Sequence, residues 1–346
     1  MAMEKTKRLG SAVVNRLGLL DVYSSFKKGR LGSEVVILTY HRVSPRDDRW
    51  SLDALSPQVF EGQLEYLSRN YSIVSLDRIS QYIDEGKPLP RRTVAVTLDD
   101  GYKDNFLYAF PLLKKYHAPA TIFLTTGNID SVDLFWWDKV GYIIERTHRR
   151  QIDLGELGSY VLGTMAKRRS IALAIIERLT GLPEQRKNLL IEELLHTAGV
   201  DIPESLAKKV ILSWEEVLRM SKEGIDFGAH SVSHPILTNL PLEKARFEIA
   251  ESKRNIEGRV KPIRFFSYPD GAFNSDIVEA VKQSGFVGAV TCDPVWVTCR
   301  PGRYRIGRMV ITYEDFNMFR VMLSGIWGDY RGFSKLWKRK EEEQVN

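Results

Sequence analysis

The chain reads as an α/β protein, a distorted barrel of parallel strands and crossover helices, and three observations predict it. Short apolar, β-branched runs such as Val35-Val36-Ile37-Leu38-Thr39-Tyr40 and Val94-Ala95-Val96-Thr97-Leu98 alternate with amphipathic helical stretches at crossover length. The runs are nearly continuous in apolar character, as strands buried on both faces are. Most of the runs end in residues that carry chemistry: His41, Asp99 with Asp100, His230, Tyr268 with Asp270, and Asp293. In a parallel barrel the C-terminal ends of all strands meet on one face, so these residues converge although they are distant in sequence.

Residues 1–33 form a basic segment in which Lys5, Lys7, Arg8, Arg16, Lys27, Lys28 and Arg30 surround Leu9, Val13, Val14, Leu17 and Leu20. The spacing suits a short amphipathic helix broken near Gly18, able either to dock on the body or to lie on a membrane surface. Residues 34–312 carry the barrel. After the first strand, Ser56-Pro57 with Phe60, Leu64 and Leu67 gives an N-cap, a proline at N1 and an apolar stripe. Tyr71 to Val74 reads as a short strand, and Ser75 caps a helix to Ile83. The strand 94–98 leads into a helix with Phe106, Phe110, Leu112 and Leu113, then to the strand Ala120 to Thr125.

From about residue 131 to 211 the alternation stops and helical stretches take over, including Ser170 to Leu179 and Gln185 to Thr197. This predicts a mainly helical insertion on one βα loop, placed beside the barrel mouth where it narrows the accessible substrates. Its opening, Phe135-Trp136-Trp137-Asp138, suits a sugar-stacking wall or an aromatic plug anchoring the insertion. Ser213-Trp214-Glu215-Glu216 is a capping box that restarts the βα pattern. A strand over 225–230, a helix over 242–256, a strand over 263–268, a helix over 275–284, a strand over 286–291 and a last strand over 304–311 follow. Residues 313–346 form a C-terminal helical tail ending in Glu341-Glu342-Glu343.

Composition narrows the function classes. With 346 residues, 43% of them hydrophobic, the chain has ample material for a core. It shows neither an apolar run of about 18 residues nor a secretory cleavage pattern, which places it by default in the cytoplasm. Two cysteines, Cys292 and Cys299, are too few for a disulfide framework and read as ordinary thiols, with a local bridge still open. Net charge is +6 with a pI near 9.1, and the excess sits at the two ends. No groove-reading motif accompanies it, so nucleic acid is not an expected partner; the basic ends read first as a solvated flank, with peripheral membrane contact through them left open.

Two adjacent carboxylates repel unless a cation or proton neutralises one, so Asp99-Asp100 predicts a bound metal, a working base, or both. Taken alone, Asp-Asp-Gly equally suits a strand followed by a turn. A carboxylate plus two histidines suffices to hold a catalytic divalent metal. His230 and His234, two of only six histidines, are four apart, a spacing that brings both imidazoles to one side of a helical turn. Zinc fits nitrogen and oxygen donors, and cobalt, nickel or manganese would also be accepted.

Thr97-Leu98-Asp99-Asp100-Gly101, then His230-Ser231-x-x-His234, then Phe266-Ser267-Tyr268-Pro269-Asp270-Gly271, in that order, resemble the polysaccharide deacetylase family, the NodB homology domain of carbohydrate esterase family four. The opening Leu38-Thr39-Tyr40-His41-Arg42-Val43 resembles the start of the domain in many members. The resemblance covers about residues 34–130 and 212–310. It implies a NodB-type barrel, a general base at Asp99, and metal ligands at Asp100, His230 and His234. It further implies removal of N-acetyl groups from a glycan or glycolipid, with Tyr268 and Asp270 as substrate contacts and the Tyr268 backbone N–H as an oxyanion donor.

Two departures stand out. Many members carry an arginine in the third motif that orients the base, and here that position is Ser267. No histidine follows His234, so the late Leu-x-His motif that supplies the general acid is absent. His41, at the tip of the first strand, is the candidate acid, and Arg305 or Arg308 the candidate partner of Asp99. The departures keep open a second reading, a catalytically impaired glycan-binding protein that retains the fold. The spare carboxylate at Asp99 favours the enzyme.

Overall fold

The structure, a computed structural model, describes residues 35–45, 54–85, 92–293, 302–312 and 314–324. The basic N-terminal segment and the greater part of the C-terminal tail lie outside the described residues.

Eight parallel strands form the sheet, seven of them in one row, β1 Val35–Tyr40, β2 Thr93–Leu98, β3 Ala120–Leu124, β4 Asp226–Ala229, β5 Phe265–Ser267, β6 Gly288–Val290 and β7 Met309–Val310, with the short strand Ser72–Ile73 paired to the start of β2. The order of the seven is β6-β5-β4-β3-β2-β1-β7. Thr39 pairs with Thr97 on one side and Val310 on the other. A further parallel bridge joins Val290 to Ile306, so the segment 306–310 ties both outer strands of the sheet together and the barrel closes. The last strand expected over 304–311 is therefore split, its first part serving β6 and its second β1. β1 and β2 are buried along their whole length. The apolar runs contribute to two layers, Val36, Leu38 and Val94 on one and Val35, Ile37 and Ala95 on the other.

Helices cover the sheet where the caps predict them. Ser56 accepts the Val59 N–H ahead of α1 Pro57–Asn70, and Ser75 accepts that of Arg78 ahead of α2 Leu76–Asp84. The crossover after β2 begins with a π turn over Asn105–Ala109 and continues as α3 Phe110–Lys115. The capping box at Ser213 is complete, its side chain and that of Glu216 each accepting the other residue's backbone N–H.

The insertion holds α4 Trp136–Arg146, α5 Met165–Leu179, α6 Glu184–Ala198 and α7 Glu204–Val210. It also holds a small antiparallel hairpin, Gln151–Asp153 with Ser159–Val161, that helical periodicity does not announce. Its helices bury a core of their own, Val140, Ile143, Ile144, Ile175, Leu179, Leu190 and Leu194 among them. The chain leaves it beside the Asp-Asp-Gly motif, where Leu212 donates its N–H to the Gly101 carbonyl at 3.1 Å and Tyr102 bridges Ile211. The remaining helices are α8 Trp214–Lys222, α9 Leu242–Glu257, α10 Ser275–Gln283 and α11 Phe316–Ser324.

Candidate metal and active site

The barrel mouth is assembled from the strand ends. β2 finishes at Leu98 and delivers Asp99 and Asp100, both buried. The chain must turn sharply there: Asp100 has φ 75° and Gly101 φ 86°. The positive φ is what requires glycine at 101, and a Cβ there would also press on the Leu124 and Ile129 methyl groups at 3.0 and 3.1 Å. β4 delivers His230. Gly228 within that strand lets Phe123 pack against the backbone, since a Cβ would meet its ring at 2.4 Å.

The two histidines are not on a helical turn, contrary to what their spacing suggests. Ser231 and His234 take left-handed backbone, φ 64° and 59°, and the intervening loop folds back on itself. Glu248 of α9 holds this loop, accepting the N–H groups of Val232 and Ser233 at 2.8 and 2.9 Å and the Ser233 hydroxyl at 2.7 Å. Ser231 Oγ accepts the His234 N–H. The folded-back loop still brings both rings together, with centroids 4.7 Å apart.

Among the described residues one group of ligand-type side chains converges: Asp100, His230 and His234, with ligand atoms all within 4.8 Å of one another. Asp100 Oδ1 lies 3.6 Å from Nε2 of each histidine. That is beyond a hydrogen bond and close to the roughly 3.4 Å separating two ligands about 2.0–2.1 Å from one tetrahedral ion. His230 Nδ1 lies 2.8 Å from the Ser267 carbonyl and donates to it, which turns the Nε2 lone pair toward Asp100. Burial pushes the pKa of His230 down to about 3 and that of His234 down as well, so both are neutral imidazoles able to ligate. A divalent cation fits this donor set.

Neutral burial has a thermodynamic sign. The unfolded chain takes up protons on these histidines near the ordinary value of 6.5 and the native chain only near 3 for His230. Metal-free protein is therefore expected to lose stability progressively as pH falls from about 6.5 toward 3. Replacing His230 with Gln should flatten that part of a melting-temperature profile. A profile of unchanged slope would show that the histidine is not held neutral.

Asp99 is bound by an arginine from the far end of the chain. Arg308 donates from Nη1 to Asp99 Oδ1 at 2.8 Å and from Nη2 to Oδ2 at 2.6 Å, a bidentate pair with both side chains buried. Three N–H groups remain for four further acceptors: Nη1 shares one between Thr39 Oγ1 and Thr97 Oγ1, Nη2 reaches Ser267 Oγ and Nε the Thr291 carbonyl. Burial raises the Asp99 pKa, but the charge and hydrogen bonds of Arg308 outweigh it and hold the carboxyl well below the usual carboxylate range. Of the two arginines anticipated, Arg308 makes the pair, while Arg305 lies over the Phe273 ring. Arg264, three residues before Ser267, pairs with Asp77. The small Ser267, where an arginine is common, leaves room for the Arg308 head and accepts one of its N–H groups.

His41, half-buried, lines the same cavity as Asp99, Asp100, His230 and His234. Asn105 anchors it by donating to its backbone carbonyl at 2.9 Å. Asp270, in left-handed backbone at φ 53°, is exposed at the rim. Tyr268 is also in the lining, but its side chain is fully buried and its hydroxyl donates to the Tyr304 carbonyl at 3.1 Å. Its backbone N–H, expected as an oxyanion donor, donates here to the Val290 carbonyl at 3.2 Å. Asp293 is exposed and outside the cavity.

The insertion supplies a wall that the motifs do not show. Trp137 packs on His234 with ring centroids 4.8 Å apart and stacks on Phe135 at 4.6 Å. Its Nε1 donates to the Tyr102 hydroxyl at 2.8 Å, which donates to the buried Asp138 at 2.9 Å. Arg42, paired with Asp104 at 2.7 Å, lies over the Tyr102 ring. At the aromatic opening of the insertion, Phe135 and Trp137 thus form a plug packed against His234, and Trp136 and Trp137 line the cavity.

A family model described as polysaccharide deacetylase matches residues 86–289. The poly-beta-1,6-N-acetyl-D-glucosamine N-deacetylase of Staphylococcus epidermidis is 24% identical over 298 residues, covering 82% of this chain and 81% of that protein. The deacetylase PplD of Streptococcus pyogenes, solved with acetate, superposes with a TM-score of 0.55 at 18% identity over 84% of this chain and 99% of that one. IcaB from Ammonifex degensii superposes with a TM-score of 0.55 at 20% identity over 85% and 98%. These two share the fold. With more than half its length matched by the family model, the chain is a member of the polysaccharide deacetylase family, hydrolases of N-acetyl amide bonds.

Proposed function

We propose that the protein is a metal-dependent deacetylase that removes N-acetyl groups from a glycan or glycolipid, with Asp100, His230 and His234 holding the metal, Asp99 acting as base and His41 as acid. The observation that carries the reading is the juxtaposition of a three-ligand cluster with a separate, ionised carboxylate locked by Arg308. A divalent cation held there by Asp100, His230 and His234 would supply Lewis-acid chemistry. Zinc suits the donor set best.

Asp99 takes the proton of the attacking water. Its position is fixed by the bidentate arginine, and its low pKa keeps it ionised throughout the working range. His41 stands on the same face, near enough for its charge to act on both Asp99 and His234. It delivers a proton to the departing amine nitrogen. Asp270 at the rim orients sugar hydroxyls, and Tyr268 shapes the wall rather than hydrogen-bonding the substrate. Arg308 makes up for the arginine missing from the third motif, which removes one of the two arguments for a non-catalytic binding protein.

Two experiments test these assignments. Zinc titration by calorimetry should give one tight site in wild-type protein, weakened at least tenfold in Asp100→Asn and His234→Ala, each of which removes a ligand. Equal affinity in wild type and both variants would place the metal elsewhere. His41→Ala should slow amide substrates more than activated esters, whose leaving groups need no proton; equal loss on both would remove His41 as the acid.

A further inference from the structure

The two sides of the catalytic cavity, about 350 Å³ in volume, differ in chemistry. The barrel side presents His41, Asp99, His234 and Asp270, whereas the insertion side presents Trp136 and Trp137 with Asp138 at one end and Leu173, Ile176 and Thr180 at the other. Leu173 and Ile176 fall at i and i+3 on α5, and Thr180, its C-cap, lies just beyond the end of the helix. A different stripe, Ile171, Ala172, Ile175 and Leu179, is already buried in the insertion's own core. A helix with a single buried face carries polar residues on the other. α5 instead turns Leu173 and Ile176 toward the cavity, Ile176 at the edge of the insertion's core and Leu173 left 45% exposed in a cavity that charged groups also line.

Neither leucine nor isoleucine can hydrogen-bond a sugar hydroxyl or offer an aromatic face to a ring. Asp138, the carboxylate of the insertion that lines the cavity, is engaged by Tyr102. A polysaccharide running through this mouth would have to desolvate hydroxyl groups against Leu173 and Ile176 without replacement partners. A hydrocarbon chain placed there would gain roughly fourfold in affinity for each methylene buried.

We propose that Leu173, Ile176 and Trp136 form a subsite for the hydrocarbon chain of an N-acetylated glycolipid, so that the sugar's amide meets the Asp100, His230 and His234 cluster while the chain lies along α5. The inference rests on the deacetylase reading and specifies its substrate class. It identifies the insertion as the element that selects an apolar aglycone.

The test compares octyl and methyl N-acetylglucosaminides, below the micelle concentration of the octyl compound, on zinc-loaded full-length protein. Acetate release gives the ratio of KM values. Should no acetate appear, dissociation constants from calorimetry give the same ratio, so that failure of the deacetylase reading is distinct from failure of the subsite. The octyl compound is expected to bind about tenfold more tightly or better, and Leu173→Ser with Ile176→Ser should reduce that advantage to about threefold or less. Leu173→Ser alone, at an exposed position, should show part of the loss. Equal values for the two glycosides in wild type would overturn the proposal, as would an octyl advantage that survives both substitutions. Equally tight binding of octyl glucoside, which lacks the N-acetyl group, would reduce the effect to detergent adsorption and overturn it as well.

Discussion

Asp99→Asn is expected to lower turnover on an N-acetylated glycan by about 10²–10⁴-fold, the usual contribution of a positioned acid or base, while one equivalent of zinc still binds. The separation is possible because Asp99 is not in the ligand cluster: its Oδ2 stands 3.9 Å from His230 Nε2, beyond the Asp100 oxygen at 3.6 Å, and faces Arg308. Asparagine keeps one oxygen for Arg308 and turns an amide N–H₂ toward a guanidinium donor, so some stability is lost along with the base. Turnover is therefore to be measured well below the variant's melting temperature, with zinc stoichiometry as the check on folding. Turnover within threefold of wild type would remove Asp99 as base. Loss of zinc binding together with activity would make it a ligand instead.

Arg308→Leu should cost about 3–5 kcal/mol of stability, the usual result of leaving a buried charge without its partner. The hydroxyls of Thr39 and Ser267 lose their donor at the same time. With the guanidinium gone, burial dominates and the Asp99 pKa rises. The acidic limb of the kcat/KM profile should move to higher pH accordingly. Arg308→Lys, which keeps a charge but not the two-pronged geometry, should fall between the two in both stability and limb position. The sign of the stability effect follows from the depressed native pKa. The Asp99 contribution is fully present above the ordinary carboxylate value near 3.8 and is lost only as pH falls below it. Acid sensitivity between about 6.5 and 3 therefore belongs chiefly to the buried histidines. An acidic limb that stays in place in Arg308→Lys and Arg308→Leu would show that the arginine does not set the base.

The site's outline was legible because strand ends are. An apolar run that stops at Asp99-Asp100-Gly101 and another that stops at His230 can bury their side chains in only one way in a parallel barrel, and the mouth follows. The conformation of the histidine loop was not legible. Spacing of four suits a helix, but Ser231 and His234 adopt left-handed backbone fixed by Glu248, a residue fourteen positions beyond His234 with nothing local to mark it. The arginine needed a three-dimensional argument too. Its signal was present in Thr39, Thr97 and Ser267, hydroxyls placed within otherwise apolar strands, which together line a polar hole for one charged guest. Sequence alone leaves Arg305 and Arg308 level, because which of the two points inward depends on how the chain crosses from β6 to β1. The insertion was visible as a break in alternation. The contact of Trp137 with His234 and the place of Leu173 and Ile176 in the cavity lining were not, since both depend on how a helical unit with its own core settles against the barrel.

Chelation and reloading test the central claim most directly. Purified protein treated with a chelator, dialysed and offered an N-acetylated oligosaccharide or glycolipid should release no acetate, and one equivalent of zinc should restore release in wild type but not in Asp100→Asn. Acetate release that persists undiminished in the stripped protein, or zinc-loaded wild type that releases none from any N-acetylated glycan or glycolipid offered, would contradict it.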